Sequence, residues 1–306
     1  VAVELVKNVL FLVFYPCRPT LSFSLKRSRD TLSFGGKITA GRILWYSYSN
    51  ADYIVAGRVL GKALLGYYTM AFQFASLPLE KIVSVITQVA LPAFSEIQGD
   101  TLSVRRYFLK MARIVSFVTF PLFMGIYLVA DDAVVFLLTA KWASIILPLK
   151  VLCVISCLRA MNAMYSPLMI ATGRPDIIMK NNLLLAIVLP VSFYIGSFYG
   201  LAGLAYSWLL SYPALFMIIT RRSLKTVDIP MSEYFKSMSH NFAGTSFMVI
   251  TVLVLQSLVF AGSYAPVRIA STCLAGVASY LSYYLIFNRD ILNESRSVLL
   301  ATSKAK

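Results

Sequence analysis

The sequence predicts an all-α fold, a polytopic bundle of transmembrane helices. Apolar residues fill 58% of the 306 positions and charged ones only 13%, where soluble domains average roughly 45–50% and about 25%. The apolar residues also gather into separate windows near the length of about 20 residues that a helix needs to cross a hydrocarbon core. Basic residues, finally, crowd into every second connection between those windows, as the loops of a threaded membrane protein do.

About nine windows qualify, bounded by charge and by Gly or Pro: residues 1–16, 35–57, 66–95, 107–129, 145–171, 177–198, 200–220, 242–261 and 267–287. The first has neither a charged leader nor a small-residue cleavage site, so it is not a signal peptide. It reads as the latter part of a helix that begins before Val1, and the chain as a fragment that has lost upstream membrane segments.

The second window holds Lys37, Arg42 and Asp52. A 100° step per residue puts Arg42, Trp45, Tyr46, Ser49, Asp52 and Tyr53 on one stripe and Ile43, Leu44, Ala51, Ile54 and Val55 opposite, the latter suited to lipid. Arg42 and Asp52 lie about three turns apart and cannot pair directly. Either each pairs with a neighbouring helix and locks the bundle, or they line a hydrated cavity, the usual place for ionisable groups at membrane depth.

In the third window Glu80 and Lys81 follow Pro78, whose missing N–H favours a kink, and adjacent residues diverge by 100°, so at least one of the two faces protein or water. An interhelical ion pair is the alternative. The fourth window ends at Asp131 and Asp132, and the stretch 134–139 with Trp142 is too short to span; it reads as an outer interfacial helix, with a re-entrant segment as the alternative. The fifth centres on Arg159, with Asn162, Ala163 and Ser166 at helical spacing on its face, whereas Lys37 and Lys150 lie near helix ends and snorkel. The sixth and seventh windows meet at Gly196-Ser-Phe-Tyr-Gly200, a turn or a site of close helix packing, as is Gly57-Arg-Val-Leu-Gly61. The last two windows close the chain.

Orientation follows from the connections. Arg18, Lys26, Arg27 and Arg29, then Arg105, Arg106 and Lys110, then Arg174 and Lys180, then Arg221, Arg222, Lys225 and Lys236 fall on one side, joined by a tail with Arg289, Arg296, Lys304 and Lys306. The other side holds Arg58, Lys62, Lys141 and Arg268. The positive-inside rule makes the first set and the C-terminus cytoplasmic. The same distribution explains the net charge of +15 without nucleic acid, for which no motif is present.

Cys17, Cys153, Cys157 and Cys273 make no disulfide framework or metal site, and His240 is the sole histidine. No cofactor, metal site or catalytic constellation is expected: the chain lacks a phosphate-cradling glycine loop and a serine elbow, and Asp131 and Asp132 more simply solvate a helix end. The candidate cavity set is therefore Arg42, Trp45, Tyr46, Ser49, Lys81, Arg159 and Asn162, with Asp52 and Glu80 positioning those charges or coupling to an ion. Three deep cations against two carboxylates favour an anionic solute.

Leu44-Trp-Tyr-Ser-Tyr-Ser-Asn-Ala-Asp-Tyr53, Gly57-Arg-Val-Leu-Gly61, Leu65-Gly-Tyr-Tyr68, Ala71-Phe-Gln-Phe-Ala-Ser-Leu-Pro-Leu-Glu-Lys81 and Gln88-Val-Ala-Leu-Pro-Ala-Phe-Ser95 together resemble the polysaccharide-transporter branch of the multidrug/oligosaccharidyl-lipid/polysaccharide exporter superfamily. Arg18-Pro-Thr-Leu-Ser-Phe-Ser-Leu-Lys26 and Ala171-Thr-Gly-Arg-Pro-Asp176 fit the same pattern. The resemblance implies two pseudo-symmetric helical lobes around a central cavity, about fourteen helices of which about nine are here. Residues 1–16 become the last helix of the first lobe, 17–33 a cytoplasmic connection, 34–220 the second lobe, 221–241 a cytoplasmic loop, 242–287 a terminal helix pair and 288–306 a cytoplasmic tail.

It further implies a flippase of the bacterial inner membrane that moves an undecaprenyl-pyrophosphate-linked oligosaccharide by alternating access. Its partners would be that substrate, membrane lipids and polysaccharide polymerase or export machinery. Arg42 and Arg159 then contact phosphate, Lys81 adds field and Trp45 and Tyr46 stack on sugars. Two alternatives are an ion-coupled drug or cation antiporter of the same fold, relying on Asp52 and Glu80, and a membrane enzyme acting on lipid-linked sugars.

Overall fold

The computed structural model describes residues 6, 7, 10, 25–258 and 264–287, with side chains in the main body from Arg29 onward. The chain divides into units 1–36 and 37–306, and the bundle belongs to the second. The expected helix at 1–16 and the tail at 288–306 lie essentially outside the described residues.

Every regular element among the described residues is helical: α1 Leu25–Ser49, α2 Ala51–Val55, a wide π-helical turn Ala56–Leu60, α3 Gly61–Ile97, α4 Thr101–Leu138, a 3-10 segment Ala140–Ile145, α5 Ile146–Ala163, α6 Tyr165–Ala171, α7 Pro175–Ser197, α8 Gly200–Leu224, a second 3-10 turn Lys225–Val227, α9 Met231–Leu258 and α10 Ala265–Phe287. Among the described residues, seven helical runs are long and apolar enough to cross a membrane. The first, Arg29–Ile97, contains two of the expected spans, because Gly61 takes φ +83°, a left-handed conformation open to glycine, and divides α3 from the helix before it.

Local chemistry explains the boundaries. The Asp100 carboxylate accepts the Leu102 N–H (3.0 Å) and the Ser103 hydroxyl (2.6 Å), capping α4. Pro175 sits in the first turn of α7 with Asp176, and Arg221 and Arg222 occupy the last turn of α8, where a helix dipole favours cations. α3 and α4 outrun their apolar windows: 37 and 38 residues rise about 55 Å, against roughly 30 Å of hydrocarbon. Hydropathy finds only the stretch in lipid, whereas the helix continues into its polar ends.

Two expectations need correction here. Residues 134–138 do not form a separate interfacial helix; nothing breaks α4 before Thr139, which turns the chain with φ +78°. Asp131 and Asp132 do more than solvate a helix end, since Asp131 pairs with Lys150 and Asp132 with Arg268.

Helices in lipid associate by close packing rather than by expulsion of water, so small residues gather at their contacts. Ala71, Ala75, Ala90, Ala112 and Ala160 are all fully buried. The α5–α6 run is the most enclosed, with α3, α4 and α8 packed around α5. α7 and α8 approach most closely at Gly196, where an added Cβ would collide with the Ser207 hydroxyl and the Gly203 carbonyl. α9 and α10 dock on α4 through Arg105–Glu233 at one end, Asp132–Arg268 at the other, and Asn241 between them, whose amide donates to Ser116 Oγ (2.6 Å).

Candidate functional site

A cavity of about 720 Å³ opens among α1, α2, α3, α5, α6, α7 and α8. α1 contributes Arg42, Trp45, Tyr46, Tyr48 and Ser49, α3 contributes Phe72, Ser76, Glu80 and Thr87, α5 Arg159 and Asn162, α7 Asn181 and Asn182, and α8 Trp208 and Tyr212. The lining runs from Thr87, Asn162, Asn181 and Asn182, nearer the helix ends beside Arg105 and Arg174, to Ser49, Phe72 and Trp208, nearer the opposite ends. Its charged lining is two cations, Arg42 and Arg159, against one carboxylate, Glu80.

Arg159 is the unusual group. Its guanidinium lies 4.9 Å from the Phe72 ring centre and 5.4 Å from that of Trp208, and its buried Nη1 has no hydrogen-bond partner. Aromatic faces stabilise a desolvated cation but accept no N–H in its plane. Ser76, on α3, likewise leaves its buried hydroxyl without a partner. Two unsatisfied polar atoms lining one cavity are what a polar ligand would satisfy, since buried polar groups are otherwise almost always bonded.

Behind this wall lies Asp52, 0% exposed. Its Oδ1 accepts the Tyr53 N–H (2.9 Å) and its Oδ2 the Tyr68 hydroxyl (2.8 Å), and Trp208 Nε1–H donates to the Tyr68 oxygen (2.9 Å). At the other end of the cavity Asn182 donates to the Gly41 carbonyl (2.9 Å), tying α7 to α1, while Asn181 donates to Ser223 Oγ (3.2 Å) and accepts from Arg222 (3.1 Å).

A family model described as "Polysaccharide biosynthesis protein" matches residues 1–147. The lipopolysaccharide biosynthesis protein WzxC of Escherichia coli (strain K12) is 34% identical over 194 residues, 63% of this chain and 39% of the relative. Over these stretches the chain is similar to polysaccharide biosynthesis proteins. Another relative, the teichuronic acid biosynthesis protein TuaB of Bacillus subtilis (strain 168), is 27% identical over 280 residues, 90% of this chain and 58% of its own length. The chain therefore spans between two fifths and three fifths of these relatives. A solved structure of the lipid II flippase MurJ, in an inward closed conformation, superposes with a TM-score of 0.64 at 15% identity, covering 94% of this chain and 60% of that one, and shares the fold. The chain is a multi-pass membrane protein built as a helical bundle.

In this chain Arg42, Trp45, Tyr46, Ser49, Arg159, Asn162 and Glu80 all line the cavity, whereas Lys81 is exposed and does not. The 100° divergence from Glu80 carries Lys81 to another face of α3. Asp52 stands behind the lining. Ala51, expected to meet lipid, is buried, because a second face of the second window, running through Gly41, Tyr48, Ala51 and Asp52, packs inward. Neither Arg42 nor Asp52 forms an ion pair among the described residues. Sequence reasoning missed Trp208, Tyr212, Asn181 and Asn182. A tryptophan in mid-span, far from the interfaces that favour it, and an amide pair entering an apolar helix were the available signals.

Proposed function

We propose that residues 34–220 form one lobe of an alternating-access flippase and 242–287 an accessory pair, and that the cavity takes the anionic headgroup of a lipid-linked oligosaccharide. The undecaprenyl pyrophosphate carrier suits a bacterial inner membrane. With the C-terminus and the basic connections cytoplasmic, Asn181 and Asn182 line the cavity end nearer the leaflet where such a substrate would load.

The observation that carries this reading is Arg159: a guanidinium held on two ring faces in the bundle interior, with a donor still unused. A pyrophosphate cannot enter hydrocarbon uncompensated, and a guanidinium offers it charge-assisted hydrogen bonds. Arg42, exposed on the same lining, supplies a second contact, and Trp45 and Tyr46 supply faces for sugar rings. Polymerase or export proteins would act on the product downstream. Exchange of lipophilic cations fits poorly, since Asp52 is walled off and cations outnumber carboxylates in the lining.

Reconstitution of the full-length protein in liposomes tests the proposal, with a fluorescent undecaprenyl-pyrophosphate-linked saccharide and an outer-leaflet quencher. Faster leaflet exchange than in protein-free liposomes, lost in Arg42→Ala and Arg159→Gln, is the expected result; exchange at the protein-free rate contradicts it.

A further inference from the structure

We propose that Asp52 is the internal counter-ion of Arg159, fixed behind the cavity wall, and that its charge sets how tightly the cavity holds an anionic headgroup. The inference rests on the proposed contact between Arg159 and that headgroup.

The hydrogen bonds run in one direction. Trp208 Nε1 can only donate, and it donates to Tyr68. Tyr68 in turn directs its single proton to Asp52 Oδ2, and Oδ1 receives the Tyr53 N–H. Asp52 is thus approached by donors at both oxygens, the arrangement of a carboxylate. It makes no ion pair among the described residues. Arg159 is the cation joined to it through Tyr68 and Trp208.

One indole joins the two charges. Its N–H edge belongs to the chain that ends at Asp52, and its face carries the guanidinium. Fixing the edge fixes the face, so Asp52 acts as a positioning residue for Arg159. Because Asp52, Tyr68 and Trp208 are all buried, the two charges attract with less screening than exposed charges would. A guanidinium compensated in this way stays in the empty cavity without its anion. When an anion enters, the Asp52 charge opposes it and limits its affinity, as a carrier that must release its cargo requires. Glu80 shares the lining but is exposed, so its charge is screened.

The test uses full-length protein in lipid nanodiscs and equilibrium binding of farnesyl pyrophosphate as probe. Asp52→Asn keeps the acceptor for Tyr68 but removes the charge, and the expected result is binding about tenfold tighter. Asp52→Glu, which keeps the charge, shows no such tightening, and Arg159→Gln loses binding. Loss in Arg159→Gln with unchanged or weaker binding in Asp52→Asn overturns the counter-ion and leaves the headgroup reading standing. Wild-type binding by Arg159→Gln defeats the headgroup reading itself. Thermal unfolding of the two single variants and the double gives a second readout. Counter-ions make the double variant more stable than the summed single losses imply, even where Asp52→Asn alone accumulates poorly, whereas additive losses overturn the proposal.

Discussion

Trp208 carries the Arg159 guanidinium 5.4 Å from its ring centre while its own N–H is committed to Tyr68. The indole is itself 1% exposed and touches Phe72 and Phe193, with ring centres 6.4 and 5.0 Å away. The cation at the inner part of the cavity is therefore held by a rigid aromatic scaffold, preorganised for a ligand that supplies the missing acceptor.

Arg159→Gln weakens binding of a lipid pyrophosphate by about 1.5–3 kcal/mol, the range for a hydrogen bond to a charged group. Arg159→Lys recovers only part of the loss, because an ammonium lacks the planar fork and stacks less well on the rings. Microscale binding measurements in nanodiscs read both effects.

Trp45 and Tyr46 are 53% and 67% exposed, so truncating them leaves the fold intact. Each alanine variant weakens binding of a glycosylated lipid by about 0.5–1.5 kcal/mol, the value of an aromatic contact, and leaves binding of the bare lipid pyrophosphate unchanged. Parallel titrations with and without the saccharide check the difference.

Gly196→Val forces α7 and α8 apart at the Gly203 carbonyl, and folded protein in a size-exclusion profile falls sharply. Gly66→Ala is the contrasting case. An added Cβ there meets nothing within 4 Å in the interior of α3, so the variant is as stable as the wild type or gains up to about 1 kcal/mol.

The Ser103 hydroxyl holds the Asp100 carboxyl below the usual carboxylate range. A lowered folded-state value means that the cap's contribution is complete above the unfolded value, about 3.9, and is lost as pH falls through the lower folded value. The hydrogen-exchange protection factor of the Leu102 amide therefore holds through mildly acidic pH and falls only as pH drops through that lowered value. In Asp100→Ala protection is low throughout.

The bundle was legible because a span in lipid is announced by hydropathy, and over their described residues the windows from 66–95 onward match observed helical runs to within a residue, with Gly61 and Gly200 at left-handed turns. What hydropathy could not give was the length of α3 and α4 outside lipid or the continuity of α4 through 134–138. In the site, the stripe through Arg42, Trp45, Tyr46 and Ser49 follows from helical period alone. The wall behind it does not. That Tyr68 and Trp208, 140 residues apart, meet at Asp52 depends on how α3 and α8 pack, and no periodicity within one helix reports a partner on another. The exposed placement of Lys81 shows the same limit: adjacent charges were known to diverge, but not which of them faced the cavity.

The most direct measurement concerns cells from which the full-length gene is deleted: the amount of undecaprenyl-linked glycan in each leaflet, probed with a reagent that cannot cross the membrane. The account predicts accumulation at the cytoplasmic face, reversed by the intact gene and not by its Arg159→Gln variant. Normal amounts at the outer face in the deletion strain would contradict it.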